Sequence, residues 1–246
     1  MKILFTLSLF LVVLARPRCA FSAQVLHFSG YDWTVNAGFW GPGPNHWDTQ
    51  NVFLDKQGHL HLKITQRNGQ WYCAEVTSTQ RFGFGRYQWQ IAGRLDQLDP
   101  NVVLGLFNYP TPDIGPDGTN EIDIEFARWG KAKNPAGNYT VWPPVKSALH
   151  GGNTFDFKLS GDTTTHYFEW SGQSVAFASL PGYRDDDAPT FGRYLYAPEN
   201  ATALVPQKPL PVHLNFWLFR GQPPLNGRES EIVIASFKFT PAQLSH

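Results

Sequence analysis

The sequence predicts an all-β sandwich or jelly roll built as one domain, and three observations carry that expectation. Short runs in which apolar and polar residues alternate with period 2 recur along the chain, the pattern of half-buried strands. Its 22 Gly and 19 Pro are scattered between those runs rather than clustered, so turn signals separate them. No amphipathic helix of normal length competes with them.

In chain order, the clearest strand is His59 to Ile64, where Leu60, Leu62 and Ile64 share one face. Arg86 to Ile91, Val102 to Tyr109, Glu121 to Phe126, His166 to Trp170, Val212 to Phe219 and Glu231 to Phe239 read the same way. Pro241-Ala242-Gln243-Leu244 makes at most a turn. The stretches Gly41 to Pro44, Tyr109 to Gly118 and Pro198 to Pro211 are expected to be long loops, which on a rigid sandwich are where binding surfaces form. No internal repeat or linker divides the chain.

Lys2 is followed by an uncharged, mostly apolar run from Ile3 to Ala15, which Arg16-Pro17-Arg18 ends well short of the roughly 20 residues of a membrane span. Residues 1–22 are expected to be a secretory signal peptide, with Ala20 and Ser22 suiting cleavage after Ser22 and a cut after Ala23 as the neighbouring option. Residues 23–246 then form the single mature domain, secreted to the exterior or the periplasm, monomeric and without a membrane span. The leader carries three basic residues and no acid. Of 20 basic and 20 acidic side chains, 17 and 20 remain, a net charge of −3. A near-neutral chain offers no electrostatic footprint for nucleic acid. With Cys19 removed, Cys73 has no partner, so stability must come from the core. Asn138-Tyr139-Thr140 and Asn200-Ala201-Thr202 would be glycosylation acceptors in a eukaryotic host.

Several chemistries are absent. There is no phosphate-cradling glycine loop, no HExxH and no CxxC, and Gly83-Phe84-Gly85 is followed by neither a third glycine nor a helix. Gly172 to Ala176 is similar to a nucleophile elbow but lacks its last glycine and an α/β setting. His59 and His61 share a strand face, but no third ligand follows from the spacing, so they read as outer-face polar residues rather than a metal site. Asp185-Asp186-Asp187 reads as a solvated loop rather than a calcium site. No metal or cofactor is expected to be required, and a structural calcium is not indicated.

What remains is Glu121-Ile122-Asp123-Ile124-Glu125-Phe126. On a strand, residues i, i+2 and i+4 share a face, so three carboxylates line up while Ile122, Ile124 and Phe126 point into the opposite layer. At the rise of a strand the Cα atoms of Glu121 and Glu125 lie about 13 Å apart, and carboxyl groups leaning inward come to roughly 5 or 6 Å. A retaining glycosidase holds its two carboxyl groups about 5 to 5.5 Å apart. Three clustered anions cannot all ionise without cost, so one Glu can stay protonated as an acid while another is an anionic nucleophile. The competing reading is the solvent face of an edge strand, yet acids are depleted in strands and like charges on one face repel. Nine Trp, among them Trp40, Trp71, Trp129 and Trp142 in loop-like or strand-end contexts, supply flat rings on which sugar faces stack. Together these features favour a polysaccharide cleft.

The segment Glu121 to Phe126 resembles the active-site motif of glycoside hydrolase family 16, in the ExDxE form of lichenases and xyloglucan-acting enzymes rather than the ExDxxE form of laminarinases. Asn51-Val52 with Gly58 to Leu62, Cys73 to Glu75, Gly83 to Tyr87, Gly105 to Tyr109, His166 to Trp170 and Asn215 to Trp217 are similar to further segments of that family. The resemblance implies a concanavalin-like jelly roll of two curved antiparallel sheets, with Glu121 as nucleophile, Glu125 as general acid/base and Asp123 as their assistant. It also implies substrate contacts at Glu75, Phe107, Tyr109, Asn215 and Trp217, to which the loop-like context of Trp129 adds that ring as an aromatic platform. Thr119 stands where lichenases have Trp, and Thr77 where they have Arg. Their disulfide is absent, and Ala178 to Gly182 replaces the hairpin expected after Trp170.

The activity implied is that of a secreted retaining endo-β-glucanase on a β-1,3-1,4- or β-1,3-glucan. A transglycosylase using the same intermediate, and a non-catalytic lectin-like module on the same sandwich, are the alternatives.

Overall fold

The structure, a computed structural model, describes residues 24–243. The expected signal peptide lies outside the described residues. Alternating sequence becomes strand throughout. The first half of the chain forms β1 (Val25–Phe28), β2 (Tyr31–Val35), β3 (Gly38–Trp40), β4 (Asn45–Trp47), β5 (Val52–Leu54), β6 (Leu60–Arg67), β7 (Gln70–Tyr72), β8 (Ala74–Phe82), β9 (Gly85–Ala92) and β10 (Val102–Asn108). The second half forms β11 (Glu121–Ala127), β12 (Gly137–Trp142), β13 (Gly151–Phe155), β14 (Thr163–Trp170), β15 (Val175–Pro181), β16 (Gly192–Tyr196), β17 (Leu210–Leu218) and β18 (Ser230–Pro241).

Two large antiparallel sheets result, in the jelly-roll arrangement expected. One has the order β1-β2-β8-β17-β10-β11-β12-β13 and the other β16-β15-β14-β9-β18-β6-β5, with β7 paired to β6 and β3 with β4 as a separate ribbon. Each sheet turns one apolar face inward. Leu60, Leu62 and Ile64 of β6, Tyr87, Trp89 and Ile91 of β9, and Ile122, Ile124 and Phe126 of β11 are fully buried in one continuous core. The non-polar alternation seen in the sequence is therefore the burial pattern itself. Among the described residues no helix is long and apolar enough to cross a membrane.

One polar chain crosses this core. Tyr139 on β12 donates its hydroxyl to Ser179 Oγ on β15 at 2.7 Å, and Ser179 lies 2.8 Å from Nδ1 of the fully buried His166 on β14. A serine has one proton to give, so it donates to Nδ1, and His166 Nε2–H then donates to Thr164 Oγ1 at 2.8 Å. Burial pushes His166 down to about 3, so the ring stays neutral. This chain pins the two sheets together where hydrophobic contact alone would permit sliding.

Three boundaries differ from the expectation. Phe219 leaves β17 for a single 3-10 turn, Phe219–Gly221. The loop expected over Pro198 to Pro211 already reaches β17 at Leu210 and contains one helical turn, Ala201–Leu204. The hairpin after Trp170 turns at Ser171 to Ser174, where Ser171 and Ser174 hydrogen-bond each other, while Ala178 to Pro181 lies within β15. Strand pairing of Trp170 with Val175 dictates that short turn, and it absorbs the elbow-like Gly172 to Ala176. His59 and His61 both contact Asp55 Oδ2, and His61 Nδ1 also contacts Glu231, so the pair is held by hydrogen bonds to carboxylates. Asp186 and Asp187 pair with Arg184 and Arg86 rather than facing solvent alone. Asn138 is only 6% exposed and donates to the carbonyls of Glu125, Ala127 and Ala136, which removes it as an acceptor once the chain folds. Cys73 is buried and unpaired.

Ser179→Ala should strand the Tyr139 hydroxyl and His166 Nδ1 inside the core. A loss of about 1–3 kcal/mol is expected, which lowers Tm by several degrees for a domain of this size. Thermal and denaturant unfolding of the variant measure it, and wild-type stability would show that the network carries no weight.

Candidate active site

The site is built by strand register. Glu125 lies opposite Gly105 on β10, Gly105 opposite Asn215 on β17, and Asn215 opposite Glu75 on β8. In the next row Asp123 lies opposite Phe107, Phe107 opposite His213, and His213 opposite Thr77. Neighbouring strands sit roughly 4.8 Å apart, so each row carries side chains across the sheet on one face at fixed steps. Gly105 is required here. A Cβ on it would fall 2.3 Å from Asn215 Oδ1, so the missing side chain is what opens the floor between Glu125 and Asn215.

Of these rows, Glu75, Phe107, Asp123, Glu125, His213 and Asn215 line a cavity of about 520 Å³ that also takes in Asn36, Trp40, Pro42, Tyr109, Asp117, Glu121 and Trp217. All three carboxyl groups of β11 reach it. β11 is an interior strand, flanked by β10 and β12, so the edge-strand reading of the acidic row is excluded. Two left-handed residues bracket the row, Asn120 immediately before it (φ 52°) and Trp129 two residues beyond β11 (φ 52°). Such a backbone is unusual for a bulky Trp and marks a segment that surrounding packing holds in place.

The electrostatics follow from burial. Asp123 is 3% exposed and its carboxyl is held well above the usual range, first by burial and then by the charges of Glu121 and Glu125. Glu121 is raised by burial and by the Glu125 and Asp117 charges, while a hydrogen bond from Asp123 acts in the opposite direction. Burial pushes Glu125 up to about 7. Both glutamates keep part of their surface open to the cavity, unlike Asp123. The three groups share protons, so the middle acid donates to Glu121 while Glu125 is poised near neutrality.

The contact residues divide into several kinds. Glu75 is 6% exposed, and its Oε1 accepts from His213 Nδ1 at 2.9 Å. His213 stacks on Phe107 at 5.1 Å, and Tyr109 meets the same imidazole edge-on and donates to Asp117 Oδ1 at 2.5 Å. Asn215 Oδ1 and Trp217 Nε1 are both buried with no protein partner, and both residues line the cavity. Trp217 is 6% exposed and belongs to the hydrophobic core, so little of its ring is open to the cavity that it lines. Its inner face is packed because β17 lies in the middle of its sheet.

Trp129 is not in this cavity. It packs against Trp217 and Phe219, donates Nε1 to Asn138 Oδ1 at 3.1 Å, and lines a neighbouring cavity of about 640 Å³ with Trp142, His150, Asn153 and Thr154. Glu125 is the one residue common to both cavities. Trp71 is 8% exposed and belongs to the core, whereas Trp40 at 43% stands at the rim of the first cavity.

Sequence reasoning missed His213 and Asn36 as cavity residues, and it placed Asp117, Gly41 and Pro42 only within loops expected to form binding surfaces. His213 carried a signal, because it precedes Asn215 and Trp217 at period 2 on the same strand. The rest reach the cavity from loops and from the β3–β4 ribbon, whose path has no periodicity to read.

No model of a known protein family matches the chain, and no curated protein matches it. Solved structures do. A Bacillus licheniformis β-glucanase superposes with a TM-score of 0.64 at 20% identity, covering 91% of this chain and 100% of that one. A glycoside hydrolase family 16 endo-glucanase from Bacteroides ovatus gives 0.63 at 15% identity, covering 85% and 94%. An immunostimulatory antigen and pseudo β-1,3-glucanase of Mycobacterium tuberculosis gives 0.65 at 18% identity, covering 86% and 91%. Two large antiparallel sheets, their order along the chain and these superpositions establish that the protein has the β-sandwich fold of the glycoside hydrolase family 16 glucanases.

Proposed function

We propose that the chain is a secreted retaining endo-β-glucanase acting on a β-1,3-1,4- or β-1,3-glucan. The observation that carries this reading is the buried carboxyl row of β11 on a cavity floor, with Asp123 bonded to Glu121 and Glu125 standing at the junction of two cavities. Glu121 attacks the anomeric carbon while Glu125 protonates the departing oxygen, and a covalent glycosyl-enzyme forms. Glu125, now a carboxylate, then takes a proton from water, which attacks the same carbon and releases Glu121. The hydrogen bond from Asp123 favours the anionic form of Glu121 before attack, against burial and the neighbouring charges. Asn215 Oδ1 and Trp217 Nε1, unpartnered in the protein, offer one acceptor and one donor to sugar hydroxyls.

The charge of the walls selects the polymer class. Among the described residues neither cavity is lined by Lys or Arg, while Glu75, Asp117, Glu121, Asp123 and Glu125 contribute to the first. Sulfated or uronic acid polymers meet carboxyl groups there with no Lys or Arg to pair with, whereas a neutral glucan needs no such partner. The second cavity favours transglycosylation as a second reading. It places Trp142, Trp129 and the amide of Asn153 beside Glu125, where an acceptor sugar would compete with water for the intermediate. A lectin-like module fits less well, because burying three crowded acids destabilises the fold without aiding a neutral ligand.

The roles separate experimentally. Glu121→Ala should abolish formation of the glycosyl-enzyme on every substrate. Glu125→Ala should still form it from an aryl β-glucoside oligomer with an acidic phenol, and azide should restore its turnover, yielding the β-glycosyl azide. Mass spectrometry of the trapped intermediate places the sugar, and a label on Glu125 reverses the assignment. An inverted anomeric product from the wild type would sink the retaining mechanism.

The carboxyl row should also show in stability. Its folded pKa values are raised, so the stabilisation from the neutral acids is complete below about pH 4 and is lost as pH rises through the folded values. Glu125→Gln stays neutral throughout. Its Tm is expected to equal that of the wild type near pH 4 and to exceed it at pH 8, by an amount corresponding to about 1–2 kcal/mol once the open side of Glu125 is allowed for. Equal Tm values at both pH values would count against a strained acidic site.

A further inference from the structure

The indole of Trp142 belongs to both sides of the carboxyl row. Its ring walls the second cavity and packs on His150 with centroids 4.6 Å apart, while its Nε1 donates to Asp123 Oδ2 at 2.9 Å. In strand register Trp142 lies opposite Glu121, so the side chain runs diagonally to reach the middle acid. An indole N–H donates and never accepts. The oxygen that it holds must therefore be an acceptor, and the proton of a neutral Asp123 must sit on the other oxygen. The remaining partner of that carboxyl is Glu121. With Asp123 only 3% exposed, protein groups decide this arrangement.

We propose that Trp142 is a positioning residue: by occupying one oxygen of Asp123 it turns the Asp123 proton toward the Glu121 carboxylate and so favours the anionic form of the nucleophile. For its effect on turnover this rests on the glycosidase reading above. Without the indole donor, the Asp123 proton has two competing sites, and in one of them it points away from Glu121. Polarity thus passes in one direction along the row, from Trp142 N–H to Asp123 to Glu121. Because the same ring walls the second cavity, a sugar seated there presses on the group that orients the acid.

The titratable groups around Asp123 are Glu121 and Glu125 on its own strand, His150 beyond Trp142, Tyr109 and Asp117 from the β10–β11 loop, and His213 with Glu75 beyond Phe107. Among the described residues no Lys or Arg lines either cavity, and the indole N–H is the donor that favours the charged form of Asp123.

The test is Trp142→Phe in the full chain, which keeps a ring against His150 and deletes the donor. On the preferred glucan, kcat is expected to fall about ten- to a hundredfold with KM within about twofold. The acid limb of the kcat/KM profile should move to higher pH, since losing a donor to a carboxylate favours its protonated form. His150→Ala removes the stacking partner but keeps the N–H, and should leave that limb in place. Carbon-13 titration of labelled Asp and Glu carboxyls reads the same groups without substrate, and the row should titrate at higher pH in Trp142→Phe. An unmoved limb and an unmoved carbon-13 titration in Trp142→Phe overturn the proposal, as does an equal displacement in His150→Ala. If the wild type turns over no glycan while the titration still moves, the glycosidase reading falls and the assignment of the Asp123 proton by Trp142 stands.

Discussion

The register of five adjoining strands, β8, β17, β10, β11 and β12, is the constraint on which the site depends. Side chains on a strand alternate faces, so a slip of one residue in β11 would turn Glu121, Asp123 and Glu125 into the core and Ile122, Ile124 and Phe126 into the cavity. The slip is forbidden by hydrophobic burial: those three apolar residues are fully buried against Leu104 and Leu106 of β10 and the facing sheet. Packing of the inner face thus aligns the chemistry of the outer one. The same register brings Glu75, Asn215 and Gly105 into line with Glu125, although 50, 90 and 20 residues respectively separate them from it in the chain.

The outer face is held against an electrostatic cost. Three acids lie on neighbouring same-face positions of a buried strand, and the local backbone at Asn120 and Trp129 is left-handed. Neither feature helps the fold, and both are kept by a large apolar core and by the polar chain from Tyr139 to Thr164 that pins the sheets. Stability gathered between the sheets is what permits strain on the exposed face of one of them. The three carboxyls then differ in environment: Asp123 is enclosed and bonded by Trp142, Glu121 receives the Asp123 bond, and Glu125 stands open to two cavities. Distinct surroundings for equivalent groups are the physical requirement for acid and nucleophile to coexist.

Solved structures that share this sandwich at 15–20% identity include glucanases and a protein described as a pseudo β-1,3-glucanase. A fold of this kind therefore does not decide between turnover and binding. What bears on the choice in this chain is local: the acidic row, the absence of cationic lining side chains and the second cavity beside Glu125.

The sequence by itself determined the all-β class, seven of the strands and the acidic row, because each rests on period-2 alternation, a property of consecutive residues. It also pointed to Glu75, Phe107, Tyr109 and Asn215, which the structure brings into one cavity. Only the tertiary structure decided that Trp129 belongs to a neighbouring cavity, that Trp217 is mostly core, that His213 bridges Glu75 and Phe107, and that Trp142 bonds Asp123. Each of these is a relation across strands. Alternation states which residues share a face of one strand, but which strand comes next, and in what register, is settled by packing of the whole core and by loop paths that leave no periodic trace.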